Sequence, residues 1–262
     1  MSPLIYANTA TFNGNDLTAI TGVTILGSDA YKPAKRKLNV IEIARSPLAR
    51  TNSAFYKERT ITLRIGITRS TRDLAEISLD SLLNLLAGVE KELIIKQSDT
   101  TRKYICTFAD SEITNAGGSY IEIDLMFNCP DRFGYDIAPT LLLQISGYTS
   151  SVKTDLITVG GSAPTQVPLI TYTITALTSG ASKNIVIGNG RTGQAVTINR
   201  TWTAGDVIQI DCKNQTVKVN GTDVNFTGAI PEWETGVQYI TYSDTLATRT
   251  FSGQVTYYKR YV

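Results

Sequence analysis

The sequence predicts a mainly β protein with one principal helix: an N-terminal β-sandwich-like domain followed by a C-terminal β-sandwich. Three observations lead there. Apolar residues alternate with polar ones over several runs, which is the period of a half-buried strand. Only one stretch repeats at helical spacing. Charged residues make up just 18% of the chain, and Thr, Ser, Asn and Gly, which suit strands and turns, fill the gap.

The strongest alternations are Arg59 to Ile67, with Ile61, Leu63, Ile65 and Ile67 on one face, and Tyr120 to Phe127, with Ile121, Ile123, Leu125 and Phe127 on one face. Such strands bury one face and offer the other to solvent or a partner. Glu92 to Lys96 and Lys103 to Phe108 are their expected neighbours. The helix is expected at about 74–87. Asp73 and Glu76 have capping-box spacing, Leu74, Ile77, Leu82, Leu85 and Leu86 form the apolar stripe, and Gly88 supplies the C-terminal stop.

The first domain is assigned to residues 1–140, a linker to 141–155 on its Ser146-Gly147-Tyr148-Thr149-Ser150-Ser151 run, and the sandwich to 156–262. Strands are expected there at Val167–Thr175, Asn184–Ile187, Ala195–Ile198, Val207–Asp211, Gln215–Val219, Val237–Tyr242 and Phe251–Tyr258. Asn220-Gly221 marks a tight hairpin turn. Many short strands at this spacing point to a sandwich.

Composition limits the chemistry. The chain of 262 residues has no histidine, which removes the commonest general base and most zinc sites. Its three cysteines, Cys106, Cys129 and Cys212, form no CxxC pair and read as small apolar residues of a reducing compartment. No stretch approaches the roughly 18 apolar residues of a membrane span, and the N-terminal residues lack a leader pattern, so a soluble protein made in a cytoplasm is expected. A net charge of +2 offers no argument for tight nucleic-acid binding.

Charge is unevenly distributed. Residues 32–72 hold eleven basic against two acidic side chains, a net of +9, and residues 73–138 hold twelve acidic against five basic, a net of −7. Blocks of opposite sign can neutralise each other within one fold or meet head to tail between copies in a ring.

Three constellations invite a chemical reading. Gly188-Asn189-Gly190-Arg191-Thr192-Gly193 fits the dinucleotide-binding glycine pattern, but a strand-like run follows where that mechanism needs a helix. It reads as a turn between strands. Glu232 and Glu234 could form a paired-carboxylate site, yet Pro231 and Gly236 around them indicate a solvated loop. Among Trp202, Trp233, Tyr239, Tyr242, Tyr257 and Tyr258, Trp202 reads as core and Trp233 as the exposed candidate for stacking on a sugar. No catalytic, metal or cofactor-binding residue is assigned.

The order of features resembles the distal tail protein family of long non-contractile phage tails. The residues that carry it are Phe12-Asn13-Gly14, Val23 to Gly27, Arg59 to Leu63, Leu82 to Leu86, Lys91 to Ile95, Arg102-Lys103-Tyr104 and Met126 to Gly134. Trp202 to Asp211, Val217 to Gly221, Gly236 to Ile240 and Val255 to Tyr261 resemble the galectin-like sandwich that follows the ring domain in such proteins. The resemblance implies a non-enzymatic homohexameric ring (hub) at the virion tail tip. Its N-terminal domains would form the belt, between the tail tube protein and a tail-associated or baseplate protein, and DNA would pass through without specific binding. It implies no cofactor and no membrane span. Lys57, Arg59, Arg64, Glu122 and Asp124, on or beside the two-faced strands, are the interface candidates. Most of the basic residues of 32–72 are expected in subunit or tube contacts, because a basic pore wall would hold DNA. Two alternatives remain: a carbohydrate-binding baseplate or adhesin module recognising a cell-surface glycan, and a cell-wall hydrolase, which the missing histidine disfavours.

Overall fold

The structure is a computed structural model that describes residues 9–33, 35–42, 49–97, 99–178 and 183–262, with the backbone alone for 36–42 and 49–56. The chain divides into two compact units at Ile137/Ala138.

In the N-terminal unit seven antiparallel strands follow one another across the sheet in the order Asn15–Asp16, Thr9–Phe12, Lys91–Gln97, Thr100–Gly117, Tyr120–Cys129, Arg59–Thr68 and Val23–Ser28. The long strand Thr100–Gly117 serves two neighbours in succession. Its first part pairs with Lys91–Gln97 as far as the Lys91–Cys106 rung, and from Thr107–Asn128 onward it pairs with Tyr120–Cys129. Bulges at Ala109 and Thr114 let it bend as it does so. Gly118, at φ +54°, closes the hairpin to Tyr120 in a conformation that glycine adopts without cost.

The alternation read from the sequence is the burial pattern. Ile61, Leu63, Ile65 and Ile67 are fully buried, as are Ile121, Leu125 and Phe127 on the neighbouring strand. Each such side chain stabilises the fold by about 1.5–3 kcal/mol. Phe127 joins the layers, with its ring 5.4 Å from Phe12 and 5.8 Å from Phe108.

The helix spans Arg72–Leu85, close to the expected place, but its signals differ from the expected ones. Thr71, not Asp73, is the N-cap, and its hydroxyl accepts from the Leu74 amide at 3.4 Å. Glu76 instead pairs with Arg72 at 2.7 Å. The buried face is Ala75, Ser78, Leu82 and Leu86, while Ile77 is 59% exposed. The face turns this way because small Ala75 and Ser78 permit close approach to the sheet, and the Ser78 hydroxyl reaches the Thr21 carbonyl at 3.1 Å.

Arg36–Glu42 and Ala49–Tyr56 form a separate two-stranded sheet that pairs with no other strand among the described residues.

The C-terminal unit contains two main antiparallel sheets. One runs Thr140–Tyr148, Arg249–Tyr257, Leu169–Leu177, Val207–Asp211, Thr216–Val219 and Thr222–Asp223, and the other Val152–Val159, Gly236–Asp244, Lys183–Asn189, Ala195–Arg200 and Thr227–Gly228. The inward residues of both meet in one core around Ile170, Tyr172, Ile187, Trp202, Ile210, Ile240 and Phe251. Asn220 (φ +53°) and Gly221 (φ +78°) make the expected primed turn. The expected linker 141–155 is mostly strand: Thr140–Tyr148 and Val152–Val159 each enter a sheet. The Gly- and Ser-rich run that suggested a linker supplies the last residues of one strand and the connection to the next.

Candidate assembly surface

The sheet made of Val23–Ser28, Arg59–Thr68, Tyr120–Cys129 and the second part of Thr100–Gly117 has one buried face and one polar face. On the polar face Arg64 stands directly opposite Asp124. Its Nε donates to Asp124 Oδ1 at 2.7 Å and its Nη2 to Oδ2 at 2.9 Å, the two-pronged geometry a guanidinium makes with a carboxylate. Glu122 Oε1 lies 3.5 Å from the same Nε. The hydrogen bond that Arg64 donates to Asp124 raises the Arg64 pKa further, so the group is always charged. The Tyr120 hydroxyl is 3.4 Å from Glu122 Oε2, and burial, then the Glu122 charge, raises its pKa.

Two of this sheet's edges carry no strand partner among the described residues. One is Val23–Ser28, interrupted by a bulge at Leu26. The other is the outer side of 107–117, whose exposed Asp110 and Glu112 lie between its two bulges. An unpaired edge presents a row of amides and carbonyls to another chain, and bulges and charges restrict which chain can use it.

The interface candidates separate into three kinds. Lys57 is exposed. Arg64, Glu122 and Asp124 come together as one half-exposed cluster. Arg59 is a correction: it is only 7% exposed and turned inward. Its guanidinium donates to the carbonyls of Ala30 and Lys32 and lies 5.1 Å from the centre of the Tyr104 ring, so it organises the loop above the core and offers no outward charge.

The same correction extends to part of the basic block. Arg64 is neutralised by two members of the acidic block, Arg69 donates to the Thr21 carbonyl at 3.0 Å, and Arg72 pairs with Glu76, all within the unit. Lys35 is exposed. Arg45 lies outside the described residues, as do the side chains of Arg36, Lys37 and Arg50.

Trp233 is the second correction. It is fully buried in the C-terminal core, beside the Cys212 thiol, and presents no face to a sugar. Burial pushes that thiol up to about 12, with the Trp233 indole acting in the opposite direction. The Pro and Gly that suggested a loop flank a short strand, Trp233–Glu234, which pairs with Thr165–Gln166 and turns the indole inward. Trp202 is core, as expected, and its indole donates to the Lys183 carbonyl at 2.9 Å. Tyr242 and Tyr257 are also buried, whereas Tyr239 is 42% exposed. Glu232 and Glu234 both face solvent, and Glu234 lies 3.6 Å from Arg191. Gly188 to Gly193 form the end of one strand and the turn into the next, with no helix following.

One buried feature escaped the sequence reading. The Asp244 side chain is wholly buried and Arg249 covers it, with Nη2 at 2.8 Å and Nε at 3.1 Å from Asp244 Oδ1. The only available signal was the five-residue spacing across a turn.

Comparison with known proteins fits this architecture. Residues 160–261 match the family described as siphovirus-type tail component, C-terminal domain. Among solved structures, the Dit protein of phage SPP1, described as a paradigm of hub adsorption apparatus in phages infecting Gram-positive bacteria, superposes with a TM-score of 0.76 at 14% identity, covering 97% of this chain and 99% of that one. Two structures of the phage p2 baseplate in its activated conformation, with calcium and with strontium, give TM-scores of 0.48 and 0.46 at 9% and 10% identity, covering 95% and 94% of this chain and 97% of each baseplate chain. No curated protein matches by sequence. Residues 160–261 therefore resemble the siphovirus-type tail component family, and the chain as a whole has the fold of the SPP1 Dit protein.

Proposed function

We propose that the chain is a structural, non-enzymatic hub of a phage tail tip. In this reading it forms a homohexameric ring that joins the tail tube to the tail-associated or baseplate proteins and lets DNA pass without specific binding. It is assembled in the host cytoplasm and carried in the virion. The observation that carries the proposal is the family match of residues 160–261, taken together with the whole-chain fold likeness.

The N-terminal unit supplies a route to closure. Its polar-faced sheet ends in two different edges, Val23–Ser28 and 107–117, that carry no strand partner among the described residues. Edge-to-edge pairing between copies would be heterologous, and such contacts close into rings when the rotation permits. In this reading Lys57, which is exposed, and the half-exposed Arg64–Asp124–Glu122 cluster would face a neighbour.

The test is particle imaging and light scattering of the full chain with the tail tube protein present. Rings of uniform copy number are expected. Asp110→Lys with Glu112→Lys changes only exposed edge residues and should abolish the rings while leaving the monomer folded. Rings that persist in this variant would refute the edge assignment, and virions lacking the protein would refute the hub reading itself.

A further inference from the structure

Cys106 and Cys129, 23 positions apart in sequence, face each other in the fold. Thr107 pairs with Asn128 and Phe108 with Phe127, so the next rung of the same ladder sets Cys106 opposite Cys129. Cross-strand partners project to the same face, with Cα atoms about 4.5–5.5 Å apart, inside the range a disulfide spans. Both residues are fully buried members of one core cluster, both thiols are free, and Cys129 acts directly on the Cys106 thiol. The third cysteine, Cys212, is buried in the other unit's core.

We infer that Cys106 and Cys129 form a vicinal cross-strand thiol pair that a disulfide or azo oxidant converts to a single intramolecular disulfide. Two S–H bonds break, one S–S bond forms, and the two electrons and two protons pass to the oxidant. With diamide, the N=N bond becomes the hydrazine. The bond would lie where strand Thr100–Gly117 leaves Lys91–Gln97 for Tyr120–Cys129, because Cys106 is the last rung with one neighbour and Thr107 the first with the other. The interaction with Cys129, and then burial, raise the Cys106 pKa, so little thiolate is present and the reaction proceeds through local opening. Cys129 ends its strand, next to the exposed Pro130, where such opening is easiest. The reduced state fits synthesis in a reducing compartment and the oxidised state a particle outside it. The thiol chemistry itself does not depend on the tail reading.

The full-length reduced protein is treated with diamide under native conditions, unfolded in alkylating agent, and mapped by mass spectrometry without reduction. The expected result is loss of two hydrogens, a linked Cys106–Cys129 peptide pair, an alkylated Cys212 and a raised melting midpoint. Cys212→Ser should give the same link, and Cys129→Ser should leave Cys106 alkylated. If Cys129→Ser does not fold, the native map and Cys212→Ser still decide. Both cysteines remaining alkylated after prolonged oxidation, or a link that involves Cys212 instead, would overturn the inference.

Discussion

The buried pair Arg249–Asp244 gives the most demanding test of the C-terminal sandwich. Arg249→Met keeps the side chain's bulk and removes its charge. The Asp244 carboxylate, with a side chain 0% exposed, then has no ion-pair partner among the described residues. At 2.8 Å and an effective dielectric near 20, the lost attraction is about 6 kcal/mol before solvation is counted. Measured costs of removing one partner of a buried pair are about 3–5 kcal/mol. The Leu246 amide still donates to Asp244 Oδ1 at 2.8 Å, which argues for the lower end, about 3 kcal/mol. Both tryptophans of the chain, Trp202 and Trp233, are in the core of this unit, so tryptophan fluorescence in a urea titration of the full chain reads its unfolding alone. The double variant with Asp244→Asn removes the stranded charge and should recover about half of the loss or more. A single variant that loses less than about 1 kcal/mol, or a double variant no more stable than the single, would show that the pair does not act as a buried ion pair.

Three further outcomes follow from the same structure. Burial pushes the Tyr104 hydroxyl up to about 12 from an ordinary 10.0. The folded state therefore holds that proton more tightly, and its contribution is complete below pH 10 and fades as pH climbs towards 12, by about 3 kcal/mol in all. Phenolate absorbance during an alkaline titration should show this group ionising late, and Tyr104→Phe should remove that component. Gly228→Ala places a Cβ 2.1 Å from the Ala195 carbonyl oxygen at φ +93°, so thermal unfolding should show a loss of about 2 kcal/mol or more, whereas Gly193→Ala (φ +73°, open space) should cost about 1 kcal/mol. Arg64→Ala removes a pair with an Arg64 side chain 32% exposed and should cost the monomer less than about 1 kcal/mol in denaturant titration. A larger effect in the assembled state than in the monomer would place Arg64 at a subunit boundary.

Much of the fold was legible because it is written in short-range pattern. Arg59–Thr68 and Tyr120–Cys129 alternate cleanly, since each buries one face only, and Asn220-Gly221 names its own turn. The errors came where a distant partner decides. Thr140–Tyr148 is a strand because it pairs with Arg249–Tyr257, more than a hundred positions away, and nothing in its Ser- and Gly-containing end records that partner. The helix stripe was misphased because Leu and Ile outweigh Ala75 and Ser78 by hydropathy, although small residues are what a close helix–sheet contact selects. Arg59 and Trp233 were placed outside by residue type and flanking turns, and backbone carbonyls and a two-residue strand turned them in. The Arg64–Asp124 contact was implied by the two charge blocks but could not be assigned before the register was known.

The long strand Thr100–Gly117 belongs to both halves of the N-terminal layer, so neither half can come apart without dragging on the other's hydrogen-bond ladder. Amide exchange along it should consequently be slowest around the handover at 106–107 and should report one opening event for both flanks. A load applied at either end would be passed along the chain itself, through covalent backbone, without depending on side-chain packing to carry it.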